Sequence, residues 1–273
     1  FTIFTQLLVH NIESSIGILL LQIITILLTC RLFGWLFQKI GQPIDQEWEK
    51  TVFSWRDRWP FYAADFADYP DKIAPEIVLS KLSDKLDPEA SIVTTEVGQH
   101  QMWAHQNIHR ERARTFISSG GLGTMGFGFP AAIGAQIGCP EDQVVCIAGD
   151  GSFQMNSQEM ATAAINRVPL KVVIVDNRAL GMVHQWQSLF YDHRFSFTEL
   201  DANPDFVKLA DAYGWQAMRI EHPDQVDEAL DTMLASDGPF LLDVIIPTEQ
   251  TVYPIGRPAA ARSTTSSARS TSP

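Results

Sequence analysis

The chain has 273 residues, of which 45% are hydrophobic and 19% charged, and its formal net charge is −12. This length and hydrophobic content allow a substantial core, which excludes the disordered and fibrous classes. The acidic balance argues against nucleic acid as the main partner. The three cysteines, Cys30, Cys139 and Cys146, form no CxxC pair, so we expect neither a zinc site nor a disulfide framework.

Residues 1–41 are strongly apolar and poor in charge. Their apolar run from Ile16 to Phe37 has about the length that spans a bilayer. If it spans one, Arg31 and Lys39 on its C-terminal flank would place the rest of the chain in the cytoplasm. The segment is a transmembrane helix, a core helix of another domain, or sequence foreign to the rest of the gene. We expect a cytoplasmic protein, with a membrane tether as the alternative.

The sequence of residues 42–71 predicts a connector helix and a loop before the main domain. In the predicted helix over 45–59, four apolar residues share one face: Trp48, Val52, Trp55 and Trp59. Such a stripe is typical of a docking surface. Pro60 and Pro70 bound the loop that follows.

From residue 72 to residue 254, apolar strands alternate with helices. The predicted strands are 91–97, 144–148, 170–175, 215–220 and 240–246. The predicted helices are 74–86, 130–137, 158–166, 181–190, 205–213 and 224–235. Near-continuous apolar strands that alternate with helices indicate an α/β domain with a parallel sheet covered on both faces. In such sheets the ligand binds at the carboxyl ends of the strands.

The two chain ends differ in composition from this domain. Residues 255–273 are almost wholly Ala, Arg, Ser, Thr and Pro, which predicts a disordered tail. The chain opens on Phe1 instead of Met. We therefore expect a fragment, a processed product or an imperfect gene model.

Two polar residues follow neighbouring predicted strands. Asp150 lies in Gly149-Asp150-Gly151-Ser152, after the strand over 144–148, and Asn177 follows the strand over 170–175. A carboxylate and an amide are hard oxygen ligands that suit Mg²⁺ carrying a diphosphate. A lone Gly-Asp-Gly is weak evidence for a metal site, because the same residues also form tight turns. Here the Gly-Asp-Gly is followed by one helix, a second apolar strand and then Asn177, and this spacing matches the signature of thiamine diphosphate-binding proteins.

Four stretches carry a closer resemblance: residues 95–104, 119–128, 149–157 and 180–186. Residues 72–254, about two thirds of the chain, resemble the C-terminal thiamine diphosphate-binding domain of the acetolactate synthase (acetohydroxyacid synthase) catalytic, or large, subunit. One departure is Asp176-Asn177, where that family usually has Asn-Asn.

The resemblance implies a role for each matching residue. Mg²⁺ would be held by Asp150, Asn177 and the backbone carbonyl of Ala179. The cofactor would be bound by Gly98, Gln99, His100, Gly123, Met125, Gly149, Gly151, Ser152 and Met155. Of these, Met125 would support the bent conformation of the cofactor. Met182, Val183 and Trp186 would face the substrate channel.

The resemblance also implies the reaction. The family condenses pyruvate with pyruvate or 2-ketobutyrate through hydroxyethyl-thiamine diphosphate, in the biosynthesis of isoleucine, valine and leucine. The glutamate that activates the cofactor lies in an N-terminal domain of a partner subunit, and a middle domain binds FAD. We expect neither domain here, so no catalytic residue is predicted and the chain alone is expected to be inactive. Glu96 is not the activating residue. The family forms homodimers or higher oligomers, with a possible regulatory subunit.

Two other hypotheses stay open at this point. The protein could be another thiamine diphosphate-dependent decarboxylase or oxidase, against which the Gln185-Trp186 pair argues. It could also be a membrane-tethered remnant without catalysis. The remaining histidines, including His105, His109, His184, His193 and His222, have no metal-like spacing, so we expect them at the surface.

Overall fold

The computed structural model describes residues 71–253, together with residues 47, 48, 50, 51, 53 and 54. The chain divides into two units, Phe1–Phe61 and Tyr62–Pro273. In the first unit, the six described residues are helical, as the pattern over 45–59 predicts. The apolar segment over 1–41, the rest of the connector up to residue 70, and the tail over 255–273 lie outside the described residues. None of the helices formed by the described residues combines the length and the apolar composition of a membrane span.

The second unit contains a six-stranded sheet in which every pair of neighbours is parallel. In chain order its strands are β1 Ser91–Thr95, β2 Phe116–Ser118, β3 Gln143–Gly149, β4 Lys171–Asp176, β5 Gln216–Ile220 and β6 Phe240–Ile245. Their order across the sheet is β2-β1-β3-β4-β6-β5. The predicted parallel α/β class is therefore confirmed.

Eight helices accompany these strands in residues 71–253. They are α1 Pro75–Lys85, α2 Gln99–Asn107, α3 Gly128–Gly138, α4 Asp150–Phe153, α5 Met160–Ile165, α6 Gly181–Phe190, α7 Phe206–Ala212 and α8 Val226–Ala235. Short 3₁₀ turns, Ser157–Glu159 and Pro223–Gln225, precede α5 and α8. Most boundaries lie within two residues of the predicted ones. The helix α2, the three-residue strand β2 and the four-residue helix α4 were not predicted.

The alternation of strand side chains divides the core into two layers. On one face of the sheet, Val145 and Val173 lie in a cluster with α1, α2 and α8. On the other face, Val144 and Val172 lie in a cluster with α3, α5 and α7. Because successive strand residues point to opposite faces, an unbroken apolar strand supplies both layers.

Helix α3 lies directly against β1, and a glycine allows this close approach. A Cβ on Gly128 would lie against the Glu96 nitrogen and the Thr95 carbonyl group, well inside contact distance. The Thr94 hydroxyl donates to the Gly128 carbonyl at 2.9 Å, which fixes the start of the helix on the strand. By contrast, Gly134 in the same helix is exposed, and a Cβ there would meet nothing within 4 Å.

These two glycines provide a paired test of the packing. We expect Gly128→Ala to lower the free energy of unfolding by roughly 3 kcal/mol, because helix and strand must separate to admit the methyl group. Gly134→Ala should raise it by about 0.5–1 kcal/mol, because alanine loses less backbone entropy than glycine in a helix. Urea denaturation followed by circular dichroism measures both. A Gly128→Ala protein as stable as the parent would contradict this account of the α3–β1 contact.

Candidate functional site

The chain topology opens a crevice at the carboxyl ends of β1 and β3. After β1 the chain enters α2 on one face of the sheet, whereas after β3 it enters α4 and α5 on the opposite face. Adjacent parallel strands whose connections leave on opposite faces form a topological switch point, where ligands of such sheets bind. A cavity of about 380 Å³ lies at this place and extends to the carboxyl end of β4.

The cavity brings together most of the residues that the sequence predicts for a site. Its lining includes Gly98, Gln99, His100, Gly123, Met125, Gly149, Asp150, Gly151, Ser152, Asn177, Ala179, Met182 and Val183. Met155 and Trp186 do not line it; they are exposed by 52% and 40%, respectively. The Trp186 ring lies edge-on to Phe190, with centroids 6.3 Å apart. The predicted roles of Met155 and Trp186 therefore depend on contacts outside this cavity.

Asp150 opens α4 directly after β3, and its carboxyl group is almost fully buried, with 2% exposure. Its Oδ2 accepts a hydrogen bond of 2.6 Å from Asn203 Nδ2. Burial raises the pKa of Asp150, and the nearby charge of Asp176 raises this pKa further. A buried carboxylate beside a second carboxylate lacks a compensating positive charge, and a divalent cation would supply it.

The histidine of the site presents an unpaired polar atom. A Cβ on Gly149 would approach His100 Nδ1 to 2.6 Å, and one on Gly98 would approach His100 Cε1 to 2.9 Å, so the ring fits only against glycines. Burial lowers the pKa of His100 to about 3, which leaves the ring neutral. Its Nε2 is buried without a hydrogen-bond partner in the part of the chain that the structure describes. Buried polar atoms are rarely left unpaired, so this one favours a polar ligand.

The Asn177 side chain is held at both of its ends. Its Nδ2 donates to Gln99 Oε1 at 3.0 Å, and its Oδ1 accepts from the Ala179 nitrogen at 3.2 Å. The Thr248 hydroxyl donates to the Asn177 carbonyl at 2.8 Å. A Cβ on Gly181 would lie 2.7 Å from Asn177 Nδ2 and still closer to Gln99 Oε1. The start of α6 is thus built to admit this pair of amides.

A buried glutamate orders the glycine-rich loop that carries Met125. Glu96 is fully buried, and its two carboxyl oxygens accept from the Gly126 nitrogen at 2.6 Å and the Phe129 nitrogen at 2.8 Å. Burial raises the pKa of Glu96, and the backbone N–H groups oppose this rise. Glu96 does not line the cavity. Its position is that of a support for the loop and for the start of α3.

Some features were missed or misjudged from the sequence. Asn203, the hydrogen-bond partner of Asp150, lies 53 positions further along the chain, and no local pattern points to it. His184 was predicted at the surface, which is wrong. It is 8% exposed and stacks on Phe195, with ring centroids 4.2 Å apart. The helical periodicity of α6 could have indicated this, because positions 181, 184 and 185 share one face of a helix and Gln185 is buried there as well.

The described residues contain no group of three or more His, Cys, Asp or Glu side chains that could hold a metal ion. A cation in this cavity would therefore need amide and carbonyl oxygens beside Asp150. Asn177 and Ala179 line the same cavity and offer such oxygens. Carboxylate, amide and carbonyl oxygens together are a ligand set that suits Mg²⁺.

An ion pair lies deeper in the sheet. Arg219 donates from Nε to Asp243 Oδ2 at 2.8 Å and from a terminal nitrogen to Asp205 Oδ1 at 3.1 Å. Asp243 is fully buried, and its Oδ1 has no hydrogen-bond partner among the described residues. Burial raises the pKa of Asp243 to about 6, although Arg219 opposes this rise.

This raised pKa predicts a pH dependence of stability. The unfolded aspartate ionises near 3.9, below the folded pKa of about 6. As pH rises from 4 to 6, the unfolded state releases its proton first, so the free energy of unfolding falls across this window. We expect Asp243→Asn to reduce that fall by about 2 kcal/mol. Asp211→Asn, an exposed change, should keep the parent profile. Urea denaturation at several pH values measures the effect, and identical profiles for Asp243→Asn and the parent would contradict it.

The fold and the position of the cavity define the class: a parallel α/β protein with its site at a topological switch point. The chain belongs to the thiamine pyrophosphate enzyme family, whose C-terminal TPP binding domain matches residues 96–244, more than half of the chain.

Several curated proteins are similar to this chain. The acetolactate synthase isozyme 2 large subunit of Escherichia coli (strain K12) is 49% identical over 232 residues, which cover 84% of this chain and 41% of that protein. The mitochondrial acetolactate synthase catalytic subunit of Saccharomyces cerevisiae is 44% identical over 212 residues, which cover 77% of this chain and 30% of that protein. A probable acetolactate synthase large subunit of Methanocaldococcus jannaschii is 50% identical, over 62% of this chain and 28% of its own length. The similarity to acetolactate synthase large subunits is thus confirmed, and the chain spans less than half of the length of these relatives.

Proposed function

We propose that residues 72–254 bind thiamine diphosphate with Mg²⁺ and form the cofactor-holding domain of an acetolactate synthase catalytic subunit. The observation that carries this proposal is the convergence of Asp150, Asn177 and the neutral His100 in one cavity at three strand ends. The similarity to acetolactate synthase large subunits supports the assignment of the reaction. We also propose that the protein is cytoplasmic. The binding of FAD by the full-length protein, a regulatory subunit and a homodimer or higher oligomer stay predictions.

Three residues would hold the metal in this proposal. The Asp150 carboxylate supplies negative charge, and Asn177 Oδ1 and the Ala179 carbonyl supply neutral oxygens. The residues after β1 and β3 would bind the diphosphate: Gly98, Gln99, His100, Gly149, Gly151 and Ser152. The buried Nε2 of His100 would gain a phosphate oxygen as its partner. The first backbone N–H groups of α2, which begins at Gln99, have no partner within the helix and would favour an anion at this edge of the sheet.

The remaining lining residues would shape the apolar part of the cavity. Met125 stands on the loop ordered by Glu96 and would support the bent cofactor, with Gly123 near it. Met155, which lies outside the cavity lining, would reach the cofactor from beside that loop. Met182 and Val183, on the first turn of α6, would exclude water and border the substrate channel, toward which Trp186 would face. When bound, thiamine diphosphate supplies the carbanion chemistry that joins pyruvate to a second 2-keto acid.

Metal binding can be tested by removing the Asp150 charge. We expect Asp150→Asn to weaken Mg²⁺-dependent thiamine diphosphate binding at least tenfold, because charge-assisted metal ligation is lost. The same variant should be more stable than the parent without ligands at pH 8, because one of two buried like charges is removed. Isothermal titration calorimetry and thermal denaturation measure the two effects.

Asp243→Asn is the matched control for this experiment. It also neutralises a buried aspartate of the same sheet, but Asp243 does not line the cavity. We expect it to leave cofactor binding within about twofold of the parent. Unchanged binding in Asp150→Asn would refute the proposed metal ligand.

Activation of the cofactor requires a glutamate in this family, and no glutamate is among the described residues that line the cavity. We therefore expect the purified chain to bind the cofactor but to form no measurable acetolactate from pyruvate. Colorimetric detection of acetolactate in the presence of Mg²⁺ and thiamine diphosphate tests this. Robust acetolactate production by the chain alone would show that the activating group is within these 273 residues.

A further inference from the structure

Three buried side-chain amides connect the metal side of the cavity to the backbone of Val252. Gln185, Gln99 and Asn177 are exposed by only 1%, 4% and 5%, respectively. We call the chain of hydrogen bonds from Val252 through Gln185 and Gln99 to Asn177 the amide relay. Each amide has one donor end and one acceptor end, so each hydrogen bond in the relay fixes the orientation of the next amide.

The relay begins at a group whose polarity cannot change. The Val252 nitrogen donates to Gln185 Oε1 at 2.9 Å, and Gln185 Nε2 donates to the Val252 carbonyl at 2.9 Å. A backbone N–H can only donate and a carbonyl can only accept. Turning the Gln185 amide by half a turn would break both bonds and would place donor against donor. The backbone of Val252 therefore sets the orientation of Gln185.

This orientation is transmitted through Gln99. Gln185 Oε1 accepts from Gln99 Nε2 at 2.7 Å, and the same nitrogen donates to the Gln250 carbonyl at 3.0 Å. Gln99 consequently presents Oε1 to Asn177, and Asn177 Nδ2 donates a hydrogen bond of 3.0 Å to it. The Oδ1 of Asn177 is thereby the end that Gln99 does not engage, and it is the only atom of this amide that can ligate a cation.

We propose that Gln185 is a positioning residue that, through Gln99 and together with the Ala179 N–H, fixes which end of the Asn177 amide is available to Mg²⁺. The proposal rests on the proposed function, because it assigns Asn177 to the metal. Without Gln185, Gln99 Nε2 keeps only the Gln250 carbonyl as an acceptor, so one hydrogen bond instead of two holds the Gln99 amide against reversal. A reversed Gln99 presents its nitrogen to Asn177 Nδ2, which places donor against donor. The Ala179 nitrogen still donates to Asn177 Oδ1, so the Asn177 amide is then pulled between this bond and a turn of its Oδ1 toward Gln99, away from a cation.

The test uses the full 273-residue chain with two changes at one position. Gln185→Met has nearly the same shape but makes no hydrogen bond to Gln99 or Val252. Gln185→Glu keeps an oxygen that accepts from Gln99 Nε2 and from the Val252 nitrogen, and its second oxygen, when protonated, donates to the Val252 carbonyl in place of Nε2. Calorimetric titration with thiamine diphosphate at a series of Mg²⁺ concentrations gives the Mg²⁺ concentration required for half-maximal binding.

We expect Gln185→Met to raise this Mg²⁺ concentration by about tenfold, the scale set by one buried hydrogen bond. Binding of thiamine diphosphate at saturating Mg²⁺ should be restored to within about threefold of the parent. Gln185→Glu should require no more than about twice the parent Mg²⁺ concentration, because it still orients Gln99.

Gln136→Met controls for the loss of a buried amide in itself. Gln136 is 4% exposed and lies in α3, outside the cavity. Its Nε2 donates to the carbonyls of Asp142 at 2.8 Å and Cys139 at 3.3 Å, and its Oε1 accepts from the Val144 nitrogen at 3.3 Å. It therefore makes three bonds, as Gln185 does. We expect this variant to lower the melting temperature and to keep the parent Mg²⁺ requirement.

A second change disturbs the relay from the other side if Gln185→Met does not fold. A Cβ on Gly181 would press against Gln99 Oε1 and Asn177 Nδ2, so Gly181→Ala should also raise the Mg²⁺ requirement. A parent-like requirement in Gln185→Met, or equal impairment in Gln185→Glu or Gln136→Met, would overturn the proposal. If the unchanged chain binds no thiamine diphosphate with Mg²⁺, the proposed function fails, and the relay has no metal to serve.

Discussion

The hydrogen-bonded register of β3 with its two neighbours is the constraint on which the site depends. Thr95, the last residue of β1, lies opposite Ile147, and Val175 of β4 lies opposite Gly149. The three strands therefore end within a few residues of one level. A shift of one residue would turn alternate side chains to the other face and would bring buried apolar groups into the wrong layer. The apolar core thus sets the spacing of polar residues that contribute nothing to it.

This arrangement buries four carboxyl groups within the strands or directly after them. Burial raises the pKa values of Glu96, Asp150, Asp176 and Asp243. Each group costs folding free energy when it ionises inside the protein, and the two apolar layers must offset that cost. A cation that binds the folded state alone would recover part of it and would stabilise the protein by mass action. Stability and metal affinity are therefore opposed at Asp150, whereas Arg219 reduces the cost at Asp243.

The sequence was sufficient for the framework and for the local part of the site. The strands β3 and β4 are continuous apolar runs, so their ends, and with them Asp150 and Asn177, could be located from the pattern. The strand β2 was missed because three half-buried residues at the sheet edge carry no periodic signal. Asn203 was missed because its contact with Asp150 joins distant parts of the chain. Periodicity reports which face of an element is buried, but it does not report which loops meet.

The amide relay is the clearest example of a contact between distant parts of the chain that periodicity does not report. The composition of α6 predicts a helix with Gln185 on it, but the role of that residue depends on Val252, which lies 67 positions away. The segment before residue 254 is tied to the domain at further points, through Thr248 to the Asn177 carbonyl and through Gln106 Nε2 to the Tyr253 carbonyl at 2.8 Å. Neutral amides suit this task, because they transmit direction without adding another buried charge beside Asp150 and Asp176. The orientation of a metal ligand can therefore be set by a backbone segment that never enters the cavity.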